Sequence, residues 1–324
     1  MIIYNPFFNI KNRIITYKFN ENEDLKYINN IKEWSILQNP SNTKSTHWWY
    51  YDLPEKIKNN YKKLISNINL LNKIKKNFNA NNPDSYNIDI LDEMNEIYIS
   101  PPSDISNTSD KIFYTEHLDG PYFYVPFASC YRTIIAINEN KEITTVFPQI
   151  PYEITMNTAD LISFDYHREC HYIKKTGNEK NNNYRIVLKV HYCIYNNNKI
   201  GKIFGKLLGR LTINYNYNFR NLFLYTINPI TPFEKILALG MIISTKIYHH
   251  LEFYIGYNNI SYISLLYLLS QLLNYYLFIL GIIIIPPLRL IDYTNRNQLF
   301  FRDLRLYSLL SLISIYKNQK WFFL

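Results

Sequence analysis

The sequence predicts an α+β fold, in which a jelly-roll core follows N-terminal helices and precedes a hydrophobic helical C-terminal region. Three observations carry this expectation. From Ile57 to Ile74 apolar residues recur at helical spacing with lysines between them. From Glu96 to Tyr195 short β-branched runs alternate with turn signals. Beyond Lys199 the chain becomes basic and apolar, and no charged residue occurs between Glu252 and Arg289.

These changes divide the 324 residues into a helical lead-in over 1–93, a β core over 94–198 and a basic, membrane-associated helical region over 199–324. The chain is long enough to bury a sizeable core. Net charge is +9 and lies in the last region, where 13 Lys+Arg face 4 Asp+Glu; residues 1–198 carry 22 of each. Basic and apolar character together point to an anionic membrane surface and away from nucleic acid. Cys130, Cys170 and Cys193 are odd in number and show no CxxC spacing, which excludes a disulfide framework and places the core in a reducing, cytosolic compartment. The start of the chain lacks the pattern of a secretory signal.

In the lead-in, Asp52 offers a capping side chain and Pro54 a first-turn residue for a helix in which Ile57, Tyr61, Leu64, Ile65, Ile68, Leu71 and Ile74 share one face. The aromatic run from His47 to Tyr51 reads as packing between elements more readily than as a substrate cleft. Strands are expected at Glu96–Ser100, Ile112–His117, Arg132–Asn138, Glu142–Phe147, Leu161–Asp165, His171–Lys174 and Tyr184–Tyr195. Seven short strands at that spacing suggest a sandwich or jelly roll. After them, KIGKIFGKLLGR sets Lys199, Lys202, Lys206 and Arg210 near one helical face, as a basic interfacial helix or a basic linker would. Residues 260–285 are long enough and apolar enough to span a bilayer or to form a buried hairpin.

The chemistry concentrates between Lys111 and Tyr195. His117 and Asp119 stand two apart, so on a strand both side chains leave the same face. A further histidine follows at 171, which opens the strand-like HYIKK, or at 167 in the preceding turn. Two imidazoles and one carboxylate on a β scaffold are the parts of a facial triad that holds Fe(II) and leaves coordination positions open. Glu169 could orient the distal histidine through a hydrogen bond. On the last strand Arg185, Val187, Lys189 and His191 share a face.

The ordered set of HLD at 117–119, ADLISFD at 159–165, a distal histidine and Arg185 resembles the double-stranded β-helix core of the Fe(II)- and 2-oxoglutarate-dependent oxygenases. The resemblance covers about a quarter of the chain. It implies that His117, Asp119 and His171 bind Fe(II), and that 2-oxoglutarate and O2 are co-substrates. It further implies that Arg185, or Lys189 in its place, anchors the far carboxylate of 2-oxoglutarate. Arginine suits that task through its bidentate fork. The implied reaction is hydroxylation of a protein or lipid with release of succinate and CO2. It also puts Tyr131 and Arg132 where cofactor or substrate contacts are often found, although a surface ion pair is the commoner role for such an arginine. Tyr122 and Tyr124 are candidates for the mouth of the site.

Two other readings use the same parts: a non-catalytic jelly-roll module tethered to a membrane, and a zinc hydrolase using His117, Asp119, His167 and His171. HRECH is not HExxH, and the sequence contains no Walker motif, GxGxxG or GxSxG. The chain's seven histidines, only some of them clustered, do not make the histidine boxes of a diiron desaturase, and His249 and His250 read as interfacial or structural.

Overall fold

In the computed structural model the described residues are 10–42, 45–101, 111–114, 116–120, 127–175, 184–227, 230–240 and 243. Their elements follow in the order β1 (Ile15–Lys18), α1 (Asn22–Leu37), β2 (Thr46–Trp49), α2 (Glu55–Ile65), α3 (Ile68–Phe78), β3 (Tyr86–Ile90), β4 (Glu96–Ser100), β5 (Ala128–Ala136), β6 (Ile143–Phe147), β7 (Tyr152–Thr155), β8 (Asp160–Asp165), β9 (Tyr172–Lys175), β10 (Arg185–Asn196) and α4 (Lys199–Ile227). Residues 10–247 belong to one structural unit.

The sheet geometry follows from β10. Its sequence, RIVLKVHYCIYN, is rich in β-branched and aromatic residues and is buried along nearly its whole length. One edge pairs with β5 from Val187 to Tyr195. Along the other edge β4 pairs with its first part and β3 with its last. The resulting seven-stranded antiparallel sheet runs β1-β8-β5-β10-β4-β2, with β3 beside β10 off that path. A smaller antiparallel sheet runs β7-β6-β9, and His117 joins it through a single bridge to His171.

Consecutive segments alternate between the two sheets. β4 lies in the large sheet, His117 beside the small one, β5 in the large, β6 and β7 in the small, β8 in the large, β9 in the small and β10 in the large. This is the winding of a jelly roll. The inner faces meet in a cluster containing Tyr98, Ile134, Phe147, Ile162, Phe164 and Val187. Phe147 and Phe164 are fully buried, each contributing roughly 1.5–3 kcal/mol of transfer free energy.

The lead-in differs from expectation in three ways. Its apolar repeat is divided between α2 and α3, because the chain turns at Ser66–Asn67 and the Asn67 side chain accepts from the N–H groups of Asn69 and Leu70. Asp52 does not cap α2: it ends a short 3-10 turn, and Pro54 occupies the boundary. The region also contains β1, β2 and β3, which lengthen the large sheet by pairing with β8, β4 and β10. The aromatic run packs as expected, with Trp48 against Trp34 and Tyr50 against Tyr61.

Within the core, the strand expected at Ile112–His117 is instead a 3-10 turn over Lys111–Tyr114 followed by the isolated bridge at His117. β7 was not expected; its YEIT is short and alternates between half-buried and exposed positions. After the core, α4 is a helix packed on the sheet. Leu208, Phe204 and Ile213 join a cluster with Leu91, Ala128, Cys193 and Tyr195. Gly205 allows this contact, since a Cβ there would lie 2.3 Å from the Tyr195 ring. No helix among the described residues is long and apolar enough to cross a membrane, and the span expected at 260–285 lies outside them.

Candidate metal centre

Four elements converge where the two sheets open. His117 and His171 face each other through their bridge, each donating its main-chain N–H to the other's carbonyl at 3.0 and 3.1 Å. Their rings lie 4.6 Å apart. Asp119 follows two residues later, and its side chain is 2% exposed. Its Oδ1 is 3.9 Å from His117 Nε2, and its Oδ2 is 3.5 Å from His171 Nε2. The ligand atoms of the three residues lie within 4.8 Å of one another.

Gly120 makes this turn possible. Its N–H donates to the Tyr166 carbonyl at 3.0 Å, and a Cβ there would fall 2.4 Å from the Tyr166 ring and 2.7 Å from His167 Nδ1. The HLDG loop therefore lies flat against the β8 end, with no space for a side chain after the aspartate.

The environment prepares each donor. His171 Nδ1 is 3.2 Å from the Glu169 carbonyl, which can only accept. Nδ1 thus carries the proton, and the Nε2 lone pair is left toward Asp119. Burial lowers the pKa of His171, which favours the neutral ring that a metal requires. The ring packs against Phe164 and Phe147, at 4.6 and 5.9 Å. For Asp119, burial alone would raise the pKa, but Arg132 foremost, then His171 and His117, hold the carboxyl well below the usual range. Arg132 Nη1 meets Asp119 Oδ1 at 2.5 Å, while Oδ2 is buried with no hydrogen-bond partner among the described residues. A buried ionised oxygen without a partner costs free energy unless a cation completes it. Together with two imidazoles it makes a donor set that fits a borderline divalent metal such as Fe(II).

Arg132 is not the surface residue its sequence context suggested. Its Nε donates to His191 Nε2 at 3.1 Å, and its guanidinium lies 4.9 Å from the Tyr166 ring centroid. Tyr131, one residue earlier on β5, points to the other face of the sheet and packs against Phe78 of α3, away from the site. Glu169 supports the distal histidine through its carbonyl and not its side chain. Its carboxylate takes a bidentate contact from Arg13, at 2.9 and 2.8 Å. His167 stands apart from the triad. Its Nε2 is 3.0 Å from Thr212 Oγ1, whose own hydroxyl donates to the Leu208 carbonyl, so Nε2 is the donor. This removes His167 from a four-ligand zinc site.

The inner face of β10 carries two cations, in agreement with the expected parity. Lys189 is buried, contacts Glu96 Oε1 at 3.1 Å and lies 3.7 Å from the Tyr98 ring centroid. Glu96 is shared with His47 Nδ1 at 2.8 Å. Burial alone would raise the Glu96 pKa, but Lys189 and then His47 hold it well below the usual carboxylate range. Arg185 lines a cleft between the sheets with Asn138, Ile143, Thr145 and Met156. His191 is opposite Arg132 in register, so Arg185 lies six residues, or roughly 20 Å along the strand, from the triad's level; Lys189 is two residues away. Tyr122 and Tyr124 lie outside the described residues.

No known protein family and no curated protein matches the sequence. Among solved structures, the chain is similar to the 2-oxoglutarate complex of a viral collagen prolyl hydroxylase from Paramecium Bursaria Chlorella virus-1, at 12% identity and a TM-score of 0.35, covering 56% of this chain and 97% of that one. It is similar to a prolyl-4-hydroxylase of Pseudomonas putida at 11% identity and a TM-score of 0.36, covering 58% and 95%. It is also similar to the epimerase SnoN in complex with Fe3+, alpha ketoglutarate and nogalamycin RO, at 10% identity and a TM-score of 0.39, covering 56% and 79%. At such identities and scores the chemistry has to be read from this chain's own residues, and those build a buried His-Asp-His group inside a jelly roll.

Proposed function

We propose that this chain is an Fe(II)- and 2-oxoglutarate-dependent oxygenase that hydroxylates a protein or lipid substrate, with His117, Asp119 and His171 as metal ligands. The observation that carries the reading is the division of labour at Asp119. Arg132 takes Oδ1, and the buried Oδ2 is left beside the Nε2 lone pair of His171. A site built only for stability would pair both oxygens.

Fe(II) bound there, with 2-oxoglutarate and O2, supplies insertion of oxygen into a C–H bond with release of succinate and CO2. The chain's own contribution is to keep the His171 imidazole neutral and oriented, to keep Asp119 ionised, and to exclude water with Phe113, Phe147 and Phe164. Two cations compete to anchor the far carboxylate of 2-oxoglutarate. Arg185 has the bidentate fork but the longer reach. Lys189 has the proximity, and its charge is matched by Glu96.

That last pairing favours a second reading, a metal-binding jelly roll without a 2-oxoglutarate site. One experiment separates them: anaerobic titration of the full chain with Fe(II) and then 2-oxoglutarate, following the visible metal-to-ligand charge-transfer band. A band in the wild type that is absent in a folded His171→Ala variant supports the oxygenase. Iron binding without the band selects the second reading, and no iron binding by folded protein rejects both. Arg185→Ala and Lys189→Ala, titrated in parallel, assign the anchor.

A further inference from the structure

The three faces of α4 are chemically distinct. At 100° per residue, Gly201, Gly205, Leu208 and Thr212 form the face buried against the sheet. Beside it Lys199, Lys202, Lys206 and Arg210 form an exposed basic ridge. Next to the ridge runs an apolar stripe of Ile200, Ile203, Leu207 and Leu211, which are 55, 66, 45 and 44% exposed. Aliphatic residues at i, i+3, i+7 and i+11 make a continuous band, not scattered surface residues. The pattern continues in the helical stretch 232–240, where Phe233, Ile236 and Leu239 are exposed as well.

The charges indicate what covers this band. No Asp or Glu occurs between Lys180 and Phe233. Residues 244–324 carry 7 Lys+Arg and 3 Asp+Glu, so the rest of the chain has no excess of negative charge to offer the ridge. An occupant must offer negative charge beside a hydrocarbon layer. Nucleic acid supplies the charge without the hydrocarbon, and Ile200, Ile203, Leu207 and Leu211 are aliphatic, with no ring on which bases could stack.

We propose that α4 docks lengthwise on an anionic bilayer surface, with Ile200, Ile203, Leu207 and Leu211 at the headgroup–acyl boundary and Lys199, Lys202, Lys206 and Arg210 on lipid phosphates. This is separate from any span at 260–285 and independent of the reading of the metal centre. Because α4 rests on β10 and β5, docking presents the jelly roll to the lipid surface as a rigid body.

The test is a local probe on the full chain. Ile203→Cys is labelled with an environment-sensitive dye, the native cysteines being buried. Lys18→Cys, an exposed position on β1, serves as control. The expected result is a blue shift at position 203 with mixed phosphatidylcholine–phosphatidylglycerol vesicles but not with pure phosphatidylcholine, and none at position 18. Added Lys202→Gln, Lys206→Gln and Arg210→Gln substitutions should raise the half-saturating lipid concentration for that shift by about 100-fold, on the usual value per basic residue near an anionic surface. No shift with either vesicle overturns the proposal, as does an equal shift with both. A dye already blue-shifted without lipid also overturns it, because the band is then covered by the chain itself or by another copy.

Discussion

Arg132 and Asp119 meet at 2.5 Å between β5 and the HLDG turn, and this contact decides which carboxylate oxygen remains available. His191, buried on β10 and accepting from Arg132 Nε, fixes the guanidinium in turn. Replacing Arg132 by Lys keeps a charge but loses the fork that touches both Asp119 and His191. Metal affinity should fall 10- to 100-fold, as is usual when a ligand's supporting partner is removed. Titration with Mn(II) as a redox-stable probe measures it, and unchanged affinity would remove Arg132 from the site's support.

Gly120→Ala should be damaging out of proportion to its size. The Tyr166 ring that its Cβ would strike is held by Arg132 and His191 and cannot swing away. A cost of about 1–3 kcal/mol is expected, together with weaker metal binding as Asp119 is displaced. Chemical denaturation and the same Mn(II) titration report the two effects.

Glu169 gives the metal-free protein a pH signature. Burial pushes its carboxyl up to about 7, although Arg13 pulls the other way. In the unfolded chain the group titrates near 4.3, so between these values the folded state holds the extra proton. Stability from this group is therefore present at low pH and falls as pH rises through the window. Glu169→Gln should flatten that slope while leaving the Glu169 carbonyl on His171. Denaturant midpoints at pH 5 and pH 8 compare the two proteins, and an unchanged slope in the variant would assign the dependence elsewhere.

The cysteines should be silent in the folded protein. Burial pushes the Cys193 thiol up to about 12 and the Cys130 thiol well above its ordinary value, and Cys170 is buried as well. Native protein at pH 8 should resist iodoacetamide and react at all three thiols once unfolded. Mass spectrometry counts the adducts, and prompt native labelling would contradict the packing around β10.

Much of this arrangement was legible because it depends on local pattern. The β-branched runs located β4, β5, β6, β8, β9 and β10 to within a few residues, and strand parity put Arg185, Lys189 and His191 on one face. His117, Asp119 and His171 could be grouped because their order along the chain suits one site. What stayed hidden depends on partners distant in sequence. Arg132 reads as a surface residue until Asp119 and His191 are seen to enclose it. The levels of Arg185 and Lys189 relative to the triad follow from inter-strand register, which parity does not contain. β1, β2 and β3 escaped notice because four or five residues among strong helices show little periodicity, and they form by pairing with edges made elsewhere.

The position of β10 in the chain bears on how the protein is made. The strand that joins β5 to β3 and β4 is the last of the ten strands among the described residues to leave the ribosome, after some 185 residues have already been synthesised. Until it arrives, β4 and β5 each expose an unpaired apolar edge, and the pairs it will make span up to about a hundred residues of chain. A nascent chain stalled before Asn196 is therefore a set of open edges facing other nascent chains, and its fate depends on chaperone capture during translation.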